Sequence, residues 1–237
     1  MKKTIAKGLA LAFAGSLLMA GSALALPSNL YDITGIDGTA GYTDTGAQSV
    51  ILSDTDGATD DATAFLMFEL AGYAGTNEFG IYGFTDNGDG TYAIGEDLML
   101  FNGSATPLTS VTLLFDLVNN TVTNQSTSVT KNIGTNFGFY LDTNQTDGIF
   151  YSHTYFNTAD NKDHAMIFDT SDNSVGALLG SDVVVAFEDL LDLGDQDYDD
   201  MVVGVTDVTP VPEPATMLLM GSGLAGLAGA ARRRKKA

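Results

Sequence analysis

The chain has 237 residues, with ten basic and 30 acidic side chains, a formal net charge of −20 and no cysteine. This acidity argues against nucleic acids and anionic membrane surfaces as partners, because binding to them depends on lysine and arginine. The absence of cysteine excludes disulfide bonds, so we expect stability to come from a hydrophobic core, from bound ions or from both.

The first 25 residues have the three parts of a secretory signal peptide. Three lysines form a basic start, and an apolar run follows them. Ala23 and Ala25 then give the small-x-small pattern that precedes a cleavage site. An N-terminal anchor helix is the alternative, but the apolar run is short for one. We therefore predict a signal peptide over residues 1–25 and export of the chain across the inner membrane.

Residues 26–209 predict a single all-β domain. Residues 110–118 alternate, with four apolar side chains on one face, Val111, Leu113, Phe115 and Leu117. Residues 79–94 predict a hairpin with a turn rich in Asp, Asn and Gly. Further strands are predicted at 49–53, 136–142, 148–156, 164–170, 182–189 and 200–206. Short strands separated by such turns are typical of an antiparallel β-sandwich or jelly roll.

The C-terminal residues predict a linker and a membrane span. Three prolines that oppose strand continuation predict an extended linker over residues 206–214, namely Pro210, Pro212 and Pro214. Residues 215–231 carry no charge and reach the short end of the length that spans a bilayer. A basic tail at 232–236 places that end in the cytoplasm. A buried globular helix is the alternative, but this Gly-rich segment has no polar face.

The charge of the region between these ends is larger than that of the whole chain. Three basic residues lie before residue 26 and five lie after residue 231. Residues 26–210 therefore keep two, Lys131 and Lys162, against 29 acids, which gives a formal charge of −27. Self-repulsion at this charge destabilises a compact state, and divalent cations are the obvious means of offsetting it.

The C-terminal segment resembles the PEP-CTERM sorting signal of Gram-negative bacteria. It has a Pro-Glu-Pro motif at Pro212, Glu213 and Pro214, a short Gly- and Leu-rich span and an Arg-rich end, in that order. The resemblance implies an exosortase as partner, processing near the motif, and transfer to the cell surface or extracellular matrix after a transient membrane-anchored stage. It also implies a link to exopolysaccharide and biofilm production. A permanent anchor or a homodimer face is the alternative.

Residues 136–205 resemble domain-of-unknown-function family 4114, through FGFYL, YSHTYFN, DNKDHAMIF and VAFEDLLDLGDQDYDDMVV. Its members are secreted and often end in an F-E-D-L … G-G-D-x-D-[YF]-N-D signature. Leu193 stands where a glycine is usual, which can alter the turn. Asp199 stands where asparagine is usual, and both residue types offer oxygen to a hard cation. The activity of the family is unknown, so the resemblance implies location and fold rather than mechanism.

The acids between residues 188 and 200 are the main candidate site. Asp195, Asp197 and Asp199 alternate, so a strand would point all three carboxylates one way, and a tight loop would converge them instead. Two such charges about 4 Å apart repel by roughly 1 kcal/mol in water and by several times more near a low-dielectric surface. Calcium reverses this cost, because it takes 6 to 8 oxygen ligands.

We therefore predict a calcium site with Asp195, Asp197 and Asp199 as ligands. Three neighbouring acids are candidates to close it, namely Glu188, Asp189 and Asp200. The spacing is not that of an EF-hand, which needs glycine at position six and glutamate at position twelve of its loop. A solvated acidic loop, with some aspartates capping turns, is the alternative.

The sequence offers few catalytic groups, and we predict that the protein is not an enzyme. Its histidines are His153 and His164, and Glu69 lies in an apolar run that could raise its pKa. A secreted hydrolase is therefore the least favoured function. The stronger alternative to a structural or binding role is a calcium-dependent, lectin-like carbohydrate-binding module. Its candidate aromatic platforms are Tyr82, Tyr92, Tyr140, Tyr151 and Tyr155, although the absence of Trp counts against it.

Overall fold

The structure is a computed structural model that describes residues 29–34, 42–55, 57–70, 73–172 and 178–212. Several sequence predictions lie outside the described residues: the signal peptide with Ala23 and Ala25, the motif residues Glu213 and Pro214, the membrane span and the basic tail. Within the described ranges, no helix has both the length and the apolar character needed to cross a membrane.

The described residues form one short α-helix and a series of β-strands. The helix α1 spans Leu30–Thr34, and two 3₁₀ turns span Thr154–Phe156 and Leu191–Leu193. The strands are β1 Ser49–Leu52, β2 Thr59–Phe68, β3 Glu78–Asp86, β4 Tyr92–Phe101, β5 Ser110–Asp116, β6 Thr121–Asn124, β7 Val129–Lys131, β8 Asn136–Asp142, β9 Ile149–Tyr151, β10 Ala165–Asp169, β11 Val183–Phe187, β12 Met201–Val205 and β13 Val208–Val211.

These strands form two sheets in which every pairing is antiparallel. The first sheet has the order β13-β1-β8-β3-β4, and β9 also pairs with β8. The second sheet has the order β10-β11-β12-β2-β5-β6-β7. The prediction of an all-β domain with antiparallel sheets is therefore confirmed.

The two sheets share one hydrophobic core. Phe115 of β5 stacks on Phe137 of β8 with 5.8 Å between the ring centroids, which joins the second sheet to the first. Phe79 of β3 meets Phe187 of β11 edge to face at 6.0 Å. Val111 and Leu113 are buried beside them, so the alternation predicted for β5 is the alternation observed. Each such side chain contributes about 1.5–3 kcal/mol when it is fully buried.

The strands that carry the acidic loop are buried on both faces. A smaller apolar cluster covers the outer face of the second sheet and includes Ile33 of α1, Phe68 of β2 and Val202 of β12. All five residues of β11 and all five of β12 are buried. This explains why both read as continuous apolar runs, and it gives the loop between them a rigid base.

Two sequence predictions about strands are wrong in part. The strand predicted over 148–156 ends at Tyr151, because the Asn157 side chain bonds to both the backbone N–H and the carbonyl of Tyr151 and turns the chain. The extended linker predicted from residue 206 contains strand β13, which pairs with β1. Pro210 is tolerated there because β13 is an edge strand, where a missing N–H need not break the ladder.

Candidate metal centre

The acidic loop, residues 188–200, connects two neighbouring antiparallel strands. Phe187 at the end of β11 lies opposite Met201 at the start of β12. The residues just outside this pair are therefore brought together, and the backbone N–H of Asp189 donates to Oδ2 of Asp200 at 2.8 Å. The sheet itself thus brings both ends of the loop to one point.

Three carboxylates form what we call the outer cluster: Glu188, Asp195 and Asp197. One carboxylate oxygen from each lies within 4.8 Å of the others. Asp195 and Asp197 are exposed, whereas Glu188 has an exposed fraction of 0%. Oε2 of Glu188 accepts the backbone N–H of Tyr198 at 3.2 Å, but Oε1 has no hydrogen-bond partner among the described residues. Burial, together with the charges of Asp195 and Asp197, raises the pKa of Glu188 to about 7.

Two hydrogen bonds to His164 hold the backbone of Glu188. Its N–H donates to the carbonyl of His164 at 3.0 Å, and its carbonyl accepts from Nδ1 of His164 at 3.1 Å. These two bonds fix the start of the acidic loop, and His164 itself is fully buried. The sequence placed His164 at the start of a strand but gave no sign of this contact.

Gly194 allows the outer cluster to form. Its φ is +41°, and a Cβ at this position would lie 2.7 Å from Oε1 of Glu188. Asp192, Gln196 and Tyr198 also have positive φ, so the segment is a loop and not a strand. Of the two arrangements left open by the sequence, the structure therefore has the converging loop.

Four residues behind the loop form what we call the inner cluster: Glu69, Asn77, Asp189 and Asp200. Nδ2 of Asn77 donates to Oδ2 of Asp189 at 3.1 Å. Burial raises the pKa of Asp200 to about 8, against the opposing bond from the Asp189 N–H. Burial also raises the pKa of Glu69 to about 7, while a hydrogen bond from Asn77 lowers it and the charge of Asp189 raises it.

The predicted calcium ligands are thus divided between two groups. Glu188, Asp195 and Asp197 lie in the outer cluster, and Asp189 and Asp200 lie in the inner one. Asp199, the remaining predicted ligand, is half-buried, and its backbone N–H donates to Oδ1 of Asp197 at 3.4 Å. Burial and the Asp197 charge raise the pKa of Asp199 to about 6. Five of the six line one open cavity of about 580 Å³, namely Asp189, Asp195, Asp197, Asp199 and Asp200.

No lysine of the described segments forms an ion pair with these acids. Lys131 pairs with Glu96 at 3.6 Å, and Nε2 of His164 lies 2.9 Å from Oδ2 of Asp160. The Asn77 amide supplies hydrogen bonds to the inner cluster but no positive charge. The arrangement therefore concentrates negative charge and oxygen atoms in one cavity, which is the chemistry that a hard cation requires.

A second cavity, of about 650 Å³, has an aromatic wall. It is lined by Tyr92, Ile94, Thr154, Tyr155, Phe156, Thr158 and Asn161. Tyr155 is 47% exposed and meets Tyr92 edge to face at 5.6 Å. Of the other aromatic candidates, Tyr82 and Tyr140 are buried in the fold, and Tyr151 is half-buried. The structure thus leaves Tyr92 and Tyr155 as the candidates at a cavity.

Fold and C-terminal sequence together define an exported all-β protein that carries a sorting signal. The PEP-CTERM protein-sorting motif matches residues 210–235, which indicates a protein processed by an exosortase. Residues 114–207 match the family described as Domain of unknown function (DUF4114). Both resemblances found in the sequence are confirmed. Comparison with curated proteins and with solved structures found no match.

Proposed function

We propose that the protein is a calcium-stabilised β-sandwich of the cell surface or extracellular matrix of a Gram-negative bacterium. Its role is structural or binding, linked to exopolysaccharide and biofilm, and not enzymatic. The observation that supports the calcium assignment is the carboxylate of Glu188, which is buried in the outer cluster and whose Oε1 has no hydrogen-bond partner among the described residues. The sorting motif supports the destination.

The outer cluster suits calcium better than a softer metal. Its three side chains offer only carboxylate oxygens, with no histidine or cysteine among them. Calcium accepts 6 to 8 oxygen ligands in flexible geometry, whereas zinc favours nitrogen and sulfur ligands. Exposed Asp195 and Asp197 leave room for water to complete the coordination sphere. An ion held here also offsets part of the charge of −27 on residues 26–210.

Thermal unfolding in millimolar calcium and in a chelator tests the site. A ligand that binds only the folded state stabilises it by about 2.7 kcal/mol at one hundred times its Kd, so calcium must raise the midpoint. The variant Glu188→Gln keeps the size of the side chain but removes a ligand charge, and we expect it to lose most of the calcium response. Asp61→Asn removes an exposed charge elsewhere and should keep the full response. An unchanged wild-type midpoint rejects the calcium site.

Processing is tested by mass spectrometry of the surface protein. We expect the mature chain to lack residues 215–237 in a host with an exosortase and to retain them in a host without one. Retention of these residues in both hosts would contradict processing and favour a permanent anchor.

A second candidate function is calcium-dependent carbohydrate binding at the aromatic cavity. The exposed Tyr155 ring, with Tyr92 beside it and the polar Asn161 at the same wall, is the kind of surface on which a sugar ring packs. Pulldown on the producer's own exopolysaccharide, with and without calcium, tests this function. Retention of the wild-type chain but not of Tyr155→Ala supports a lectin, and equal retention of both contradicts it.

A further inference from the structure

The sorting motif leaves the fold beside the aromatic cavity. Val211, the last residue of β13, lies opposite Ser49 of β1, and the exposed Pro212 follows it without an N–H to extend the ladder. Gln48 comes just before Ser49, and its Oε1 accepts the backbone N–H of Thr154, a residue of the cavity wall, at 3.1 Å. Its Nε2 donates to the Thr154 hydroxyl at 3.4 Å. The width of β1 and one side chain therefore separate the exit of the chain from the cavity.

The motif is long enough to cross this gap. Neighbouring strands of a sheet lie about 4.8 Å apart, so the chain leaves β13 roughly that far from β1. Three extended residues span at most about 10–11 Å. Prolines at 210, 212 and 214 favour such an extended segment, because each fixes its own φ and restricts the residue before it. Residues 212–214 can therefore pass Gln48 and reach Thr154.

The cavity offers the surface that a proline-rich segment needs. Tyr155 and Ile94 line it, and each is 47% exposed. Tyr92 meets Tyr155 edge to face, so two aromatic rings form part of one wall. Proline-rich segments dock in aromatic-lined grooves, because their extended conformation is already formed and little entropy is lost on binding.

Charge favours the aromatic cavity over the two other cavities described above and below it in acidity. Residues 26–210 carry 29 acids, yet none of the described ones lines the aromatic cavity. Five aspartates line the cavity at the acidic loop, and a third cavity, of about 470 Å³, includes Glu96 in its wall. The carboxylate of Glu213 would be repelled at both of these and meets only uncharged side chains at the aromatic one.

We propose that, before processing, Glu213 and Pro214 dock in the aromatic cavity, with the Pro214 ring against Tyr155 and Tyr92. The domain then holds part of the motif on its own surface, and an exosortase has to displace it. Docking requires neither calcium nor a sugar, so it is independent of the functions proposed above. A sugar can occupy the cavity only when the motif has left it.

The absence of cysteine from the chain allows a disulfide test of this contact. Thr158→Cys, at the cavity wall, is combined with Ala215→Cys, directly after the motif, in full-length protein from a host without an exosortase. Ile51→Cys with Ala215→Cys is the matched control, because Ile51 is 40% exposed on β1, opposite Thr209 of β13. Mass spectrometry after mild oxidation measures the rate at which each pair closes within one chain.

We expect the Thr158 pair to close faster than the Ile51 pair, and Tyr155→Ala to remove that excess. Because Tyr155 is exposed, its truncation should leave the fold intact, which a denaturant titration checks. Pro214→Ser leaves the cavity wall unchanged and should remove the excess as well.

Four other results overturn the proposal. Equal rates for the two pairs would mean that the segment moves freely and does not dock. A faster Ile51 pair, or no disulfide in either pair, would mean that the motif does not lie at the cavity. A fast Thr158 pair that neither Tyr155→Ala nor Pro214→Ser slows would contradict the ring contact. Disulfides between two chains, in place of one within a chain, would assign the cavity to a second copy of the protein.

Discussion

Nε2 of His164 lies 2.9 Å from Oδ2 of Asp160, and the same oxygen accepts the backbone N–H of Asp192 at 2.9 Å. The other ring nitrogen of His164 holds the carbonyl of Glu188. The ring is stacked on Phe150, with 3.9 Å between centroids. One buried side chain therefore ties the start of the acidic loop to its middle, although it offers no ligand to the outer cluster.

We expect His164→Phe to weaken calcium binding at the outer cluster by about 10–100-fold, as loss of a group that orients a metal ligand does. The phenyl ring can still stack on Phe150, so the change mainly removes hydrogen bonds. A calcium titration of the variant measures the effect, and a denaturant titration in a chelator shows how far the fold itself is weakened. Lys162→Gln, at an exposed neighbouring position, is the control and should bind calcium normally. Equal affinity of His164→Phe and the wild-type chain would show that the histidine only supports the fold.

We expect Gly194→Ala to reduce the stabilisation by calcium. Its Cβ would displace Oε1 of Glu188, 2.7 Å away, and the residue has φ of +41°. Gly88→Ala is the matched control, since Gly88 has φ of +76° and no atom within 4 Å of an added Cβ. Both variants carry a backbone cost of about 1 kcal/mol, but only Gly194→Ala should change the calcium-induced rise in melting temperature. A normal rise for Gly194→Ala contradicts the role given to Glu188.

We expect His153 to destabilise the fold in acid. It is buried, with Nδ1 2.6 Å from the Tyr82 hydroxyl, and burial lowers its pKa to about 4, although the charge of Asp86 opposes this. The unfolded chain binds this proton near pH 6.5 and the folded chain only near pH 4. The contribution of neutral His153 to the free energy of unfolding is therefore fully present above pH 6.5. It falls by up to about 3 kcal/mol as the pH drops to 4.

Denaturant titrations of the wild-type chain and of His153→Gln in a chelator measure this effect. The difference in free energy of unfolding between the two chains should shift by about 3 kcal/mol between pH 7.5 and pH 4, in favour of the variant at low pH. Acids elsewhere in the fold titrate in both chains and cancel in the difference. A difference that does not change with pH rejects the prediction.

The shared core is tested by two adjacent residues of β5. Phe115 is 1% exposed and stacks on Phe137, and Phe115→Ala should cost about 3–5 kcal/mol of unfolding free energy. Leu114 is 39% exposed on the opposite face, so Leu114→Ala should cost far less, within about 1 kcal/mol. Chemical denaturation measures both values. Equal costs would mean that β5 does not face the first sheet as described.

Strands whose apolar residues follow a clear pattern were predictable from sequence. The other strands were not predictable, and their residues show why. The apolar residues of β5 alternate, and β11 and β12 are continuous apolar runs. The first half of β2 carries Asp60 and Asp61 and reads as an acidic turn, yet it pairs with β5 over seven residues. β6 and β7 are too short, at four and three residues, to show a period.

The acids of the site were predictable, but their division into two groups was not. Neighbouring residues of an extended chain point in opposite directions, so Glu188 and Asp189 enter different clusters although they are adjacent in sequence. Asn77, which bonds to Asp189, is 112 positions away from it in the chain. A single sequence contains no signal that pairs two such distant residues, because the pairing arises only when β3 and β11 enter facing sheets.

Strand β13 is the element through which a C-terminal anchor would pull on the domain. Its last residue, Val211, lies opposite Ser49 of β1, and the exposed Pro212 of the sorting motif follows directly. A domain attached to a surface through this end is pulled along the axis of β13. Backbone hydrogen bonds between antiparallel strands run perpendicular to that axis, so the pull loads all of them together in shear and does not peel them apart singly. An anchor at this end would therefore load the whole ladder between β13 and β1 as a unit.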